Sequence, residues 1–185
     1  MSLLHQLNLL VSAVAGIGVI LPLFLILAAT IWLAGRPDIV WRWGAGFVLC
    51  LAGTYFLKWL DAQIGLDPIF PSGHVSMAVY TFGGLAFLLI GRGRRRDRLG
   101  WAILVAIGLL VGVSRVILTT HDWLDVIGGI ALGIACLPLV GCPRQWTALS
   151  GRTRALLLLV FVVAAVPVTI YGAALDRVLH RYVAY

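Results

Sequence analysis

Glutamate is missing from this chain of 185 residues, and lysine occurs once, at Lys58. All seven acids are aspartates, and thirteen of the fourteen basic residues are arginines. Charged residues make up only 11% of the sequence, against about 25% in a soluble domain. That scarcity, beside 62% hydrophobic residues, excludes a water-soluble globule and indicates an integral membrane protein. The three cysteines, Cys50, Cys136 and Cys142, show neither CxxC nor metal-ligand spacing. They predict no disulfide framework, and Cys50 and Cys136 read as packing residues within apolar runs. The run from Leu9 to Leu33 lacks a basic leader and a small-residue cleavage site, so it reads as mature protein.

What is present is a series of apolar segments. The expected spans are Gly16–Ala34, Trp41–Leu60, His74–Ile90, Leu99–Leu118, Trp123–Val140 and Ala155–Ala174. Each is long enough for roughly 30 Å of hydrocarbon at about 1.5 Å per residue. Residues 2–14 fit either an interfacial helix or the start of the first span. Trp41, Trp43 and Trp59 are expected at membrane interfaces. The fold class is therefore all-α, a polytopic bundle of about six spans forming a single domain over residues 1–185, with its core at about 41–140.

The net charge of +7 sits mostly in three segments, 35–42, 91–98 and 141–154. In so hydrophobic a chain this excess reads as an orientation signal and not as a nucleic-acid footprint. The basic segments belong in the cytoplasm, and 61–73 and 119–122 face outward. Lys58, Ser72, Gly73, His74, Arg115, His121 and Asp125 then lie at outer ends of spans two to five. Ionisable groups in a membrane segment cost about 2.5–3.5 kcal/mol each at its centre, so this gathering requires a function.

The set has one chemistry. Lys58 and Arg115 suit phosphate oxygens. Ser72 supplies a hydroxyl, Gly73 an unshielded N–H, and the start of the third span a positive dipole end. His74 can donate a proton. His121 and Asp125, four residues apart, are expected to share a helix face, so that the carboxylate directs the imidazole. Taken singly, each has a plainer reading. Lys58 beside Trp59 fits a snorkelling lysine, Ser72 a helix cap, and either histidine an interhelical hydrogen bond. Arg115 fits a structural pair with Asp122 or Asp125. Gly128, Gly129 and Gly133 read as close-packing residues. The plain readings leave the convergence on one face unexplained.

Pro71-Ser72-Gly73-His74, followed by Ser114-Arg115, five residues, His121, three residues and Asp125, resembles the type 2 phosphatidic acid phosphatase superfamily. Its motifs are K-x6-RP, PSGH and SR-x5-H-x3-D, and the likeness covers about Lys58 to Gly133. The resemblance implies that His121 is the nucleophile of a phosphohistidine intermediate, Asp125 its orienting partner and His74 the general acid. It implies a phosphate cradle of Lys58, Ser72, Gly73 and Arg115, and no metal or other cofactor. The first motif departs from the pattern: six residues after Lys58 come Gly65 and, shifted, Asp67-Pro68. Arg36 and Arg42, expected on the opposite face, are no substitute for the missing arginine.

The implied function is metal-independent hydrolysis of a membrane lipid phosphate or diphosphate, such as a polyprenyl diphosphate or phosphatidate. The site would face outward from a bacterial inner membrane. Two other readings keep the same residues: a lipid phosphotransferase, and a non-catalytic lipid-phosphate binder or transporter. A metal site of His74, His121, Asp122 and Asp125 fits less well, since adjacent residues diverge on a helix and the two cations would be idle. The bilayer and a lipid substrate are the expected partners.

Overall fold

A computed structural model describes residues 3–64, 70–90, 94–140 and 149–183. The changes demanded by the first motif at Gly65 and Asp67, and the basic segment 141–148 with Cys142, lie outside these residues, as do the side chains of Asp176, Arg177, His180 and Arg181. Among the described residues the chain forms seven α-helices and no strand. They are α1 (Leu3–Val14), α2 (Ile17–Leu33), α3 (Pro37–Gln63), α4 (Gly73–Ile90), α5 (Arg94–Ile117), α6 (Trp123–Cys136) and α7 (Gly151–Val183).

All six expected apolar segments are helical, but they are unequal. Four helices, α3, α4, α5 and α7, are long and apolar enough to cross a membrane on their own. The α1–α2 pair, bent by 50°, makes a fifth if it counts as one broken span. At 14 residues α6 spans only about 21 Å. It gives way to a 3-10 turn at Leu137–Val140, because Pro138 has no N–H to continue the α ladder. The chain is thus a multi-pass helical membrane bundle with one short helix, α6.

Local chemistry sets the helix ends. α2 closes in a Schellman motif: Gly35 takes φ +76°, its N–H donates to Trp32, and the Arg36 N–H donates to Ile31. Pro37 then opens α3, and Arg36 and Asp38 pair through two nitrogens at 3.0 and 2.8 Å. α5 begins at Arg94, inside the arginine run expected to be a loop. Basic groups oppose a helix dipole at that end, and Asp97 in the first turn offsets them.

α4 is the central helix, with thirteen of its eighteen residues buried. It packs chiefly against α5 and α6, while α2 packs against α7. Close approach of α6 is what its glycines permit. A Cβ on Gly129 would lie 2.7 Å from the Ser72 carbonyl oxygen, and one on Gly133 2.8 Å from that of Ser76. Trp43 corrects an expectation. It is fully buried against Phe24, at 4.6 Å between ring centroids, whereas Trp41 and Trp59 are exposed. Two residues along a helix turn a side chain by about 200°, so Trp41 and Trp43 cannot share an environment. Tyr80 spans the core to donate to the Trp43 carbonyl at 2.6 Å. The outward residues of α7, including Leu159, Val163 and Val166, are apolar and suit contact with lipid.

Candidate active site

The end of α5 starts the site. Ser114 turns its hydroxyl onto the Val111 carbonyl at 2.7 Å and so faces its own helix. Arg115, one residue on, points into a cavity. Past Ile117 the chain is capped by a tight turn in which both the N–H and the hydroxyl of Thr120 donate to the Arg115 carbonyl, at 3.1 and 3.0 Å. Thr119 sits there at φ +55°, a conformation costly for a β-branched residue. The turn delivers His121 beside Arg115.

His121 precedes α6 and is not part of it. Asp122 is the N-cap and Asp125 the third helical residue, and together they form a capping box. The Asp125 N–H donates to Asp122 Oδ1 at 3.0 Å, and the Asp122 N–H donates to Asp125 Oδ2 at 3.2 Å. The same Oδ2 lies 3.0 Å from His121 Nδ1. An ionised carboxylate only accepts, so Nδ1 carries the proton and donates, leaving the Nε2 lone pair for another partner. The expected pair therefore meets, but by a different route: across a helix cap and not along a helix face. Asp122, weighed from sequence as a partner of Arg115 or a metal ligand, instead caps α6 and fixes Asp125. The D-x-x-D spacing before an apolar run is the signal that finds it.

His121 is nearly sealed from solvent, with a side-chain exposure of 6%. Burial lowers its pKa from the ordinary value; the Asp125 carboxylate opposes this, and the Arg115 charge adds to it. The net direction is down, which favours the neutral imidazole, the state that has a lone pair to give.

Five of the seven residues singled out from sequence line one cavity of about 320 Å³: Lys58, Gly73, His74, Arg115 and His121. α3 supplies Lys58, α4 supplies Gly73 and His74, α5 supplies Arg115, and the α5–α6 turn supplies His121. Three cationic or potentially cationic groups and a helix start thus surround one space, an arrangement that attracts an anion. Its remaining wall is largely apolar, with Ile17, Leu51 and Met77.

Ser72 and Asp125 stand behind this cavity. Ser72 is fully buried, and its hydroxyl has no hydrogen-bond partner among the described residues. Its N–H donates to the Asp125 carbonyl at 3.0 Å, which fastens the start of α4 to the first turn of α6. Asp125 lines a second cavity of about 480 Å³ on its far side, with Asp61, Asp122 and Phe70. Among the described residues no three His, Cys or Asp side chains converge as metal ligands. The carboxylates of Asp122 and Asp125 are occupied by backbone N–H groups and the imidazole.

Two features have no counterpart in the sequence reasoning. Thr54 of α3 and Ser76 of α4 join their hydroxyls at 2.9 Å beneath the cavity, locking the helices that carry Lys58 and His74. Arg115 Nη1 donates to the Ser12 hydroxyl of α1 at 2.7 Å, across 103 residues of sequence. No motif spacing announces either contact.

Several curated proteins share parts of this chain. Lipid phosphate phosphatase 2 of Arabidopsis thaliana is 34% identical over 116 residues, which is 54% of this chain and 38% of that protein. Phosphatidylglycerophosphatase B of Bacillus subtilis (strain 168) is 35% identical over 74 residues, 38% of this chain and 36% of that protein. Probable lipid phosphate phosphatase 4 of Arabidopsis thaliana is 39% identical over 75 residues, 35% of this chain and 23% of that protein. The matched region thus spans well under half the length of these relatives. No solved structure matches the chain. A family model covers residues 9–147, from within α1 to beyond α6, and by it the chain belongs to the PAP2 superfamily.

Proposed function

We propose that the chain is a lipid phosphatase that works through a phosphohistidine on His121. The observation that carries this reading is the His121–Asp125 contact: it aims a neutral, desolvated Nε2 at a cavity walled by Lys58, Arg115 and His74. Binding alone needs the cations but has no use for an imidazole whose tautomer is held by a carboxylate. The names of the relatives, lipid phosphate phosphatase and phosphatidylglycerophosphatase, agree with the reading.

The substrate's phosphate enters the cavity with its oxygens toward Lys58, Arg115 and the N–H groups at the start of α4. The tail leaves along the apolar wall toward lipid. His121 Nε2 attacks phosphorus in line, forming an N–P bond as the P–O bond to the lipid breaks. His74 gives its proton to the departing oxygen, so the lipid leaves as an alcohol, or as a monophosphate when the substrate is a diphosphate. Water then attacks the phosphohistidine, His74 takes its proton, and phosphate departs with His121 restored. Asp125 holds Nδ1–H throughout and stabilises the charge that the ring acquires.

Among lipid substrates a polyprenyl diphosphate is favoured, ahead of phosphatidate and phosphatidylglycerophosphate. The cavity opens on the outer face of a bacterial inner membrane, with the arginine-rich segments in the cytoplasm. Purified protein in detergent, given a panel of lipid mono- and diphosphates with and without EDTA, should release phosphate in both conditions. Retention of activity by His121→Ala would refute the nucleophile. Cysteines placed at 66 and 96 should react from outside and inside respectively; labelling of 96 from outside would reverse the orientation.

A further inference from the structure

α1 lies outside the family's motifs, yet it reaches the candidate site. Asn8 and Ser12, one turn apart, are buried, while Leu4, Leu7 and Leu10 are exposed. The helix packs on α5, the helix that carries Arg115. Immediately beyond it, Ala15 and Ile17 line the cavity that holds His121. Two polar residues of α1 thus turn into the bundle, although His5 and Gln6 of the same helix are exposed beside the leucines, and a buried polar pair in an apolar bundle needs a partner there.

We propose that Ser12 is a positioning residue for Arg115, and that α1 is thereby a working wall of the phosphate site. The Ser12 hydroxyl accepts from Arg115 Nη1 at 2.7 Å, and Ser12 is itself 7% exposed. A guanidinium is planar and carries five N–H groups in a fixed fork. Holding one of them from α1 restrains the orientation of the fork, and with it the direction in which other N–H groups can meet phosphate oxygens. Loss of that contact loosens one corner of the fork at the cavity. A displacement of about 1 Å at such a contact costs on the order of 100-fold in rate. The inference rests on Arg115 being a phosphate ligand.

The test compares Ser12→Ala and Ser12→Thr with the unaltered full-length protein, reading kcat and KM on a hydrolysed lipid phosphate, orthovanadate affinity and thermal stability. Ser12→Ala should lower kcat about ten- to a hundred-fold, with KM within about threefold, and weaken vanadate by a similar factor. Ser12→Thr, which keeps the hydroxyl, should restore most of both. Values for Ser12→Ala within twofold of the unaltered protein would overturn the proposal. So would equal impairment of both variants in step with a lost melting temperature, the mark of a merely structural residue. If the unaltered protein hydrolyses no lipid phosphate, the phosphatase reading fails, and vanadate affinity alone decides on Ser12. A protein that neither hydrolyses lipid phosphates nor binds vanadate overturns both.

Discussion

The Ser72 N–H donates to the Asp125 carbonyl at 3.0 Å, so the two motif segments of the candidate site are joined through their backbones. One segment carries His74 and the other orients His121. Their separation is set by helix packing, because nothing larger than hydrogen fits at Gly129 between α6 and the Ser72 carbonyl.

Gly129→Ala should therefore damage both stability and rate. The added Cβ would stand 2.7 Å from a backbone oxygen and 3.0 Å from the Val75 Cβ, neither of which can rotate away. α6 must lift from α4. Overpacking of this kind costs about 1–3 kcal/mol. A lower melting temperature in detergent, together with a fall in kcat, is the expected result; an unchanged kcat would show that the α4–α6 spacing does not matter to the chemistry.

How much of this site could be read from sequence depends on how each residue is held. Lys58, His74, Arg115 and His121 reach one cavity because alternating spans put their helix ends on one face, and alternation is visible in hydropathy and charge. The His121–Asp125 contact has the expected partners and an unexpected frame. The helix begins after His121, since Asp122 with Asp125 makes a better start than a buried histidine would. Trp43 and Trp41 look alike in a list of interfacial aromatics; only the neighbours of α3 decide that one is core. Pro138 marks the end of α6, and its effect was foreseeable from its missing N–H. Ser12 gave no warning, because a contact between residues 103 apart depends on the bend between α1 and α2.

Asp122→Ala removes the cap and should cost about 0.5–2 kcal/mol of stability. Activity should fall as well, because losing Asp122 Oδ1 frees the Asp125 N–H and loosens the turn that holds Asp125 against His121. Asp122→Ser keeps a capping oxygen and should recover most of the stability. Thermal unfolding and kcat of the two variants separate a cap from a chemical group: Asp122 as a chemical group would leave Asp122→Ser inactive.

Ser72→Ala tests a buried hydroxyl that has no hydrogen-bond partner among the described residues. Such a group carries a desolvation penalty of about 1–3 kcal/mol, so its removal should leave the melting temperature unchanged or raise it. If the hydroxyl turns to meet substrate phosphate, KM should rise several-fold at the same time. A stable variant with unaltered KM would remove Ser72 from the phosphate cradle and leave it as a packing residue whose backbone alone serves the site.

The pH dependence should follow His121. In the proposed mechanism the reacting form is neutral, and burial lowers the pKa of this imidazole below its ordinary value of about 6.5. Protonation removes the lone pair, so kcat/KM should fall on the acid side with a midpoint below 6.5, and the group should be fully competent at pH 7. Asp125 supports the protonated ring. In Asp125→Asn that support is gone, so the pKa should fall further and the acid limb should move to lower pH. The plateau rate should drop on the order of 100-fold, because the ring charge developed during attack loses its counter-charge. A plateau that drops while the acid limb moves to higher pH would mean that the limb belongs to a different group, and that Asp125 acts on the rate without setting the protonation of His121.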